Sequence, residues 1–565
     1  MPSITINRLL DQLDEAKRRF GPREHVNSER ILASLAKRKF RDAESLIRFH
    51  EILLFLRAYP QSARIIRLAE SQLSSFTERI RFLHSIDAEV SAFDDPEVSG
   101  MAGTSVTDTF TYNIVCWLLQ RHPTQVSFDW EWFEDENRLA ATWPRFLLLL
   151  EEDAAVEANV PYLEWLNAAK GRQARDVPWL VERFASLPLT EKAAAELYES
   201  QKLYVRWTPA YRATRTGMRL PVRNVFYHRR PLIRRKDVSL VAELQASAPP
   251  LRRLSRSEGE RVLDLTRETS TTRYRELYGF THGDPARVLQ ASIGRGVDLF
   301  FMGIPPDKRL PLRAYHAAII FKNGVAVGYF EGLSIFERLE SGFNFYYTFR
   351  EGETAWIYAK TLAILRHLLG VTVFTIDPYQ IGYENEEGIE SGAFWFYRKF
   401  GFRPTKPKLL KLALDEERRI AVRPAYRTPA RVLRQLAEGH MIFELPETQT
   451  GDWDRFQVRN LGLAVQRRMA KEFAGDAARI RSESVKTVTR ALGILMTDWK
   501  QSELRALNDL ALVLALIPDL GRWSAEEKRD VMRIVRAKAS ADEARYLRLM
   551  QKHRRLRQTV IKLGS

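Results

Sequence analysis

The sequence predicts a multidomain α+β protein with a mixed, mostly antiparallel sheet and its helices over residues 251–425. A helical N-terminal domain (1–205), a basic, proline-containing extended linker (206–250) and a helical, basic C-terminal region (426–565) surround it. Three observations carry this expectation. A chain of 565 residues is too long for one hydrophobic core. Helical periodicity dominates both ends. Between them, strand-like runs alternate with helical ones around an Asn323-Gly324 pair, which supplies the positive φ angles of a tight hairpin.

The N-terminal part reads as successive helices. Ser28 and Asp42 are N-cap candidates. After Asp42, Leu46, Ile47, Ile52, Leu53, Leu54 and Leu56 form one broad apolar face that Pro60 ends. Further helical patterns run from Ala63 to about Val90 and over 106–121, 137–168, 178–186 and 190–204. From Trp207 the prolines and the loss of helical period indicate extended chain laid over a surface, and ASAPPLRRL closes it as a linker.

Within 251–425, Ser257 to about Tyr278 reads as one or two helices. GVDLFFMGI is a strand, AYHAAIIFKNGVAVGYFEGL a hairpin and SGFNFYYTF a further strand. A helix over about 354–369, the strand VTVFTID and a helix over about 388–400 follow, with FRPTKPKLLKL as extended chain. Beyond 425, Thr428-Pro429 starts a helix that Gly439 ends, and the pattern stays helical to the C-terminus.

Composition narrows the function classes. Apolar residues at 45% and aromatics at 11% suffice for packed interiors. The longest apolar stretch near the C-terminus, Leu510 to Ile517, is far shorter than the roughly 20 residues that span a membrane. The first residues lack the apolar centre of a secretory signal. No transmembrane segment and a cytoplasmic location are expected. Cys116, the single cysteine, reads as a buried, inert thiol. Histidines are dispersed and HExxH, Walker and GxSxG motifs are absent, so no metal is expected.

The net charge of +17 is concentrated. Residues 201–236 hold eleven Lys or Arg and no acid, and residues 544–565 hold seven and no acid, so together they exceed the whole surplus. Such patches fit a polyanion, nucleic acid or anionic lipid. Segment 201–236 has a second reading as internal packing against acidic faces such as Glu131, Glu134, Asp135 and Glu136, or Glu151, Glu152 and Asp153. For the tail, external anion binding is the expectation.

One constellation bears chemistry. NFYYTF runs into Arg350-Glu-Gly-Glu-Thr-Ala355, then a helix, VTVFTID and AFWFYRKFGFRP. This order resembles the GNAT N-acyltransferase superfamily, in which a strand leads through an Arg/Gln-x-x-Gly-x-Gly/Ala loop to a helix, a strand and a helix ending Tyr-x-x-x-Gly-Phe. Glu353 stands at the loop's central glycine position. The resemblance implies acetyl-CoA or a longer acyl-CoA as co-substrate, its diphosphate at the helix N-terminus. Phe349, Arg350, Gly352, Thr354, Ala355 and Asn385 would bind the cofactor, Asn385 through an insertion relative to the family's spacing. An amine-bearing acceptor of unknown identity would attack the thioester directly. Tyr397 occupies the place of the tyrosine that protonates the leaving thiolate. Glu331, on the hairpin, and Asp377, ending the next strand, are the candidate general bases. Two readings follow: an acyl-CoA-dependent N-acyltransferase, or a noncatalytic GNAT-like scaffold binding a polyanion through 201–236 and 544–565.

Overall fold

The computed structural model describes residues 5–133, 138–139, 141–146 and 162–565. The protein is a mixed α+β molecule in which helices surround a large, open, mostly antiparallel sheet. The main sheet contains β4 (Leu251–Arg253), β5 (Val288–Gly294), β6 (Val297–Met302), β7 (Ala314–Lys322), β8 (Val325–Ile335) and β9 (Arg338–Phe345). It is completed by β10 (Val373–Ile376), β11 (Arg403–Pro404) and β12 (Met441–Glu444). Their order is β11-β12-β10-β9-β8-β7-β6-β5-β4. Every neighbouring pair is antiparallel except β9 and β10. A parallel pair needs a crossover, and the helix Thr354–Leu369 supplies it.

The β7–β8 turn follows the expectation, with φ of 48° at Asn323 and 79° at Gly324. Its glycine is required twice over, because a Cβ there would lie 2.1 Å from the Leu220 carbonyl oxygen. The turn is covered by the 206–250 segment. Leu220 N–H donates to the Gly324 carbonyl (2.8 Å), and the Asn323 side chain donates to the carbonyls of Ala58 and Phe226. That segment is irregular chain fastened to the sheet, but it is not extended throughout, since short helical turns at Tyr211–Ala213 and Arg235–Asp237 and a helix at Leu240–Gln245 interrupt it.

Several expectations change. Ser28 lies inside the helix Pro22–Ala36, whose start is set by its proline, whereas Asp42 caps Ala43–Ala58 by accepting from Ser45 N–H. The N-terminal part is not wholly helical, since β1 (Val106–Asp108), β2 (Val126–Phe128) and β3 (Val205–Trp207) form a small antiparallel sheet. Leu251–Arg253, read as linker, is the edge strand β4, and β5 has no counterpart in the sequence reading. The stretch after Phe402 is extended only at β11, and Pro407 then opens the helix Pro407–Val422. The helix expected over 388–400 is broken at Gly392, in left-handed conformation, into Glu386–Glu390 and Ala393–Arg398. Beyond 425, β12 inserts between β11 and β10. The helix expected over 137–168 lies mostly outside the described residues, as do Glu134, Asp135, Glu136, Glu151, Glu152 and Asp153.

Two large cores, with a small third cluster of Val465, Phe473 and Ile480, hold these elements among the described residues. One joins the helices of the first hundred residues to the sheet, the helix Thr354–Leu369 and the C-terminal helices. The other spans Val106 to Ala213 and is rich in tryptophan and tyrosine. Half-buried Cys116 packs against the second, where burial pushes its thiol pKa up. No helix among the described residues is long and apolar enough to cross a membrane.

Candidate functional site

The parallel pairing of β9 with β10 covers Arg338–Glu340 against Val373–Thr375, while β9 runs on to Phe345. β10 ends at Ile376, so β9 continues without it, and a cleft of about 610 Å³ lies beyond their pairing. Phe343, Asn344 and Phe345 of β9 line one wall, and Tyr379, Gln380 and Asn385, which follow β10, line another. The start of the helix Thr354–Leu369 opens onto the same cleft through Arg350 and Thr354, and Tyr397 faces it from the helix Ala393–Arg398. Glu353 is the helix N-cap and no side chain bonds the first-turn amides, so donors and the positive end of the helix dipole remain available there. A second, narrower groove of about 360 Å³ adjoins that helix start, with Arg18, Arg234, Arg235 and Arg350 on its walls.

The two glutamates of the loop turn away from the cleft. Glu353 is fully buried and pairs with Lys322 at 3.3 Å and Arg295 at 2.5 Å, and it accepts from Ile233 N–H at 3.2 Å. Burial lowers the Lys322 pKa to about 8, against the opposing pull of Glu353. Glu351 pairs with Arg18 at 2.7 Å and Lys17 at 3.4 Å, just after the N-terminal helix Ile6–Ala16. Gly352 is required by packing, because a Cβ there would lie 2.3 Å from the Tyr59 hydroxyl.

The candidate cofactor residues divide accordingly. Arg350, Thr354 and Asn385 line the cleft, and Ala355 and Gly352 line the adjoining groove. Phe349 is fully buried in the core and offers no surface to a ligand. Thr354 Oγ1 donates to the Arg350 carbonyl (3.1 Å), and Asn385 caps its own short helix while donating to the Tyr379 carbonyl. Arg350 is held across the cleft by Glu387, which also pairs with Arg275 at 3.4 Å.

Tyr397 is buried among Tyr358, Phe396 and Phe402, with centroids 5.2–5.8 Å away. Burial pushes its phenol pKa above the ordinary value, so it stays protonated across the neutral range. Glu331 and Asp377 are not brought to the cleft. Glu331 accepts from the Tyr315 hydroxyl, and burial raises its pKa. Asp377 caps the turn after β10. Burial alone would raise its pKa, but bonds from His440 and Tyr379 N–H hold it below the usual range. It sits with Glu340 and His440, their donor atoms within 4.8 Å of one another. Glu340 is already paired with Arg313 and Arg338.

Two carboxylates in the cleft escaped the sequence reading, Glu387 and Glu276. Glu276 follows the helix Arg256–Thr271 and accepts from both Thr111 N–H (2.9 Å) and the Thr111 hydroxyl. Burial raises its pKa in spite of those bonds. Spacing gave no signal for either residue, since neither belongs to a motif.

The basic segments also separate. In 201–236, Arg215 pairs with Glu51 (3.0 Å), Arg219 with Glu70 (2.9 Å) and Arg206 with Asp129, so internal packing accounts for part of it. Those partners differ from the acids singled out in the sequence. In 544–565, Arg557 pairs with Glu337 and Arg555 with Asp519, and Arg548 donates to the Leu368 carbonyl. Compared with protein-family models, curated proteins and solved structures, the chain matches none.

Proposed function

We propose that this protein is a cytoplasmic acyl-CoA-dependent N-acyltransferase of GNAT-like construction. The observation that carries the reading is the cleft where β9 runs on past the end of β10, beside the start of the helix Thr354–Leu369 and with Tyr397 in its lining. A thioester lying between the strands would have its diphosphate at the uncapped helix start, near Arg350 and the arginines of the adjoining groove. Of the acids that depart from the loop pattern, Glu353 is neutralised on the side away from the cleft, whereas Glu351 lines the adjoining groove and is paired there with Arg18.

In this mechanism an amine attacks the thioester carbonyl, a new C–N bond forms and the C–S bond breaks. Tyr397 donates its proton to the departing thiolate. Glu276 is the better-placed base, as a cleft carboxylate with a raised pKa and no arginine paired to it among the described residues. Glu331 and Asp377 are too engaged elsewhere to take that role.

The test is a calorimetric titration of coenzyme A, followed by a thiol-release assay with acetyl-CoA and longer acyl-CoAs over a panel of amines. One site per chain and amine-dependent thiol release are expected. A chain that binds no coenzyme A overturns the reading. The scaffold alternative, in which the basic segments bind a polyanion, draws on one feature of the tail. The side chains of Arg545, Lys552, Arg554 and Lys562 have no ion-pair or hydrogen-bond partner among the described residues. Salt-sensitive nucleic acid or vesicle binding, lost on deleting 544–565, is its signature.

A further inference from the structure

A second cavity lies at the opposite end of the helix Thr354–Leu369, which its rise places about 20 Å from the cleft. It measures about 540 Å³ and is bounded by the ends of β5, β6 and β7, by that helix and by the helix Ala544–Lys552. This size falls within the roughly 300–1,000 Å³ of small-molecule sites. Its floor is aliphatic, built from Leu289, Leu365, Leu368 and Leu549 with Phe301 as the chief ring. Its rim is cationic.

The rim's charges are unevenly matched. Arg287 is paired with Asp284 (2.8 Å), Arg309 donates to the Ile304 carbonyl (3.2 Å) and Arg548 caps the C-terminal carbonyls of the helix Thr354–Leu369. The side chains of Arg253, Arg545 and Lys552 have no such partner among the described residues, and all three are exposed. The two acids on the rim do not balance them. Glu543 is paired with Lys538 at 2.5 Å, and Asp542 accepts from Ala544 and Arg545 N–H.

We propose that this cavity binds a small amphipathic anion, an alkyl chain ending in a carboxylate or phosphate. The floor removes methylenes from water, and the free cations meet the head group at the mouth. A nucleotide fits less well, because leucines make up most of the floor and the polar atoms of the Tyr315 and His316 rings beside it are already bonded, to Glu331 and Ser334. An inorganic anion fits less well too, because it leaves the apolar floor unused. A bound chain touches the sheet, the helix Thr354–Leu369 and the C-terminal helix together, so it fastens the last helices to the sheet. The site is independent of the cleft and of the reaction assigned there.

The experiment is calorimetry of the full chain with octanoate, decanoate, dodecanoate and dodecyl phosphate, each below its micelle concentration. One ligand per chain is expected, with affinity rising roughly fourfold per added methylene. Dodecanol should bind at least about tenfold more weakly, and the triple variant Arg253→Ala/Arg545→Ala/Lys552→Ala should lose about tenfold for the anions. All three side chains are exposed, so the variant keeps its fold. Saturating coenzyme A should leave the binding unchanged. Equal affinity for dodecanol, no dependence on chain length, or an unaffected triple variant would each overturn the proposal. Displacement by coenzyme A would overturn it by moving the chain into the cleft. Binding to anionic vesicles or to a DNA oligonucleotide without binding of the monomeric anions would make the rim a polyanion surface, and also overturn it.

Discussion

Replacing Glu353 by glutamine tests the most consequential feature of the cleft loop. The carboxylate is fully buried between Lys322 and Arg295 and accepts from Ile233 N–H, and Lys322 is itself fully buried. The amide keeps the shape and loses the charge. Lys322 then keeps its bond to the Arg295 carbonyl and the rings of Tyr59 and Phe226, at 4.9 and 5.2 Å, but has no acid beside it, with the Arg295 guanidinium still nearby. Its pKa is already lowered to about 8 with the glutamate present. Without it the amine is forced towards the neutral form at pH 7, at about 1.4 kcal/mol for each further unit. The charge-assisted bonds to Arg295 and Ile233 are weakened as well. Breaking a buried pair on one side costs about 3–5 kcal/mol, and that is the expected loss of stability.

Urea unfolding, followed by tryptophan fluorescence and by far-ultraviolet circular dichroism, measures the loss. Adding Lys322→Met removes the stranded charge and should recover part of it. Coenzyme A affinity, measured where the variant is folded, should stay within about twofold, because the carboxylate does not face the cleft. A Glu353→Gln protein as stable as the parent would refute the buried cluster. Tighter coenzyme A binding would show instead that Glu353 faces the diphosphate.

Three further outcomes follow from the cleft and its surroundings. Glu387→Gln releases Arg350 while Arg275 keeps Glu97 at 2.7 Å, so coenzyme A should bind several-fold more tightly by calorimetry, with Arg350→Ala moving the other way. Tyr397→Phe should lower turnover by roughly 10²-fold with little change in coenzyme A affinity, the split expected when a proton donor is lost. His228 is buried beside Lys322 and Arg295, and burial followed by those two charges lowers its pKa to about 2. Its unfolded form takes up a proton near pH 6.5, so stability should fall as pH drops from 6.5, and His228→Phe should flatten that slope in acid-unfolding curves.

What the sequence disclosed depended on how local the determining interaction was. The Asn323-Gly324 turn, the Asp42 cap and the Pro60 stop each act within a few residues and were legible. So was the break at Gly401, whose φ is +97°. The strands β4 and β12 were not legible. Leu251–Arg253 is a three-residue edge, and Met441–Glu444 is a four-residue run buried on both faces, with no alternation to distinguish it from a helix end. Within the site, Arg350, Thr354 and Tyr397 stood in a recognisable order. Glu276 and Glu387 carried no pattern, and the partners of Glu353 arrive from the β7 end and the β5–β6 turn. An ion pair between distant segments leaves no periodic trace in the chain.

The departure of the loop from its expected pattern has a physical reason within this fold. Residues 351–353 form a seam as well as a cleft edge. Glu351 binds the first helix, Gly352 admits the Tyr59 ring of the helix Ala43–Ala58, and Glu353 binds the hairpin beneath the 206–250 segment. A glycine at 353 would leave buried Lys322 and half-buried Arg295 without an acid, so the packing of the sheet turns beneath the 206–250 segment favours glutamate there. Only Arg350, Thr354 and the free amides of the first turn remain on the cleft side. The acid that an anionic ligand must displace from Arg350 is therefore Glu387, on a separate short helix, and the one that holds Arg18 in the adjoining groove is Glu351. Ligand affinity and the attachment of the N-terminal helices are thus carried by different side chains of one six-residue stretch, and substitution can alter one without the other.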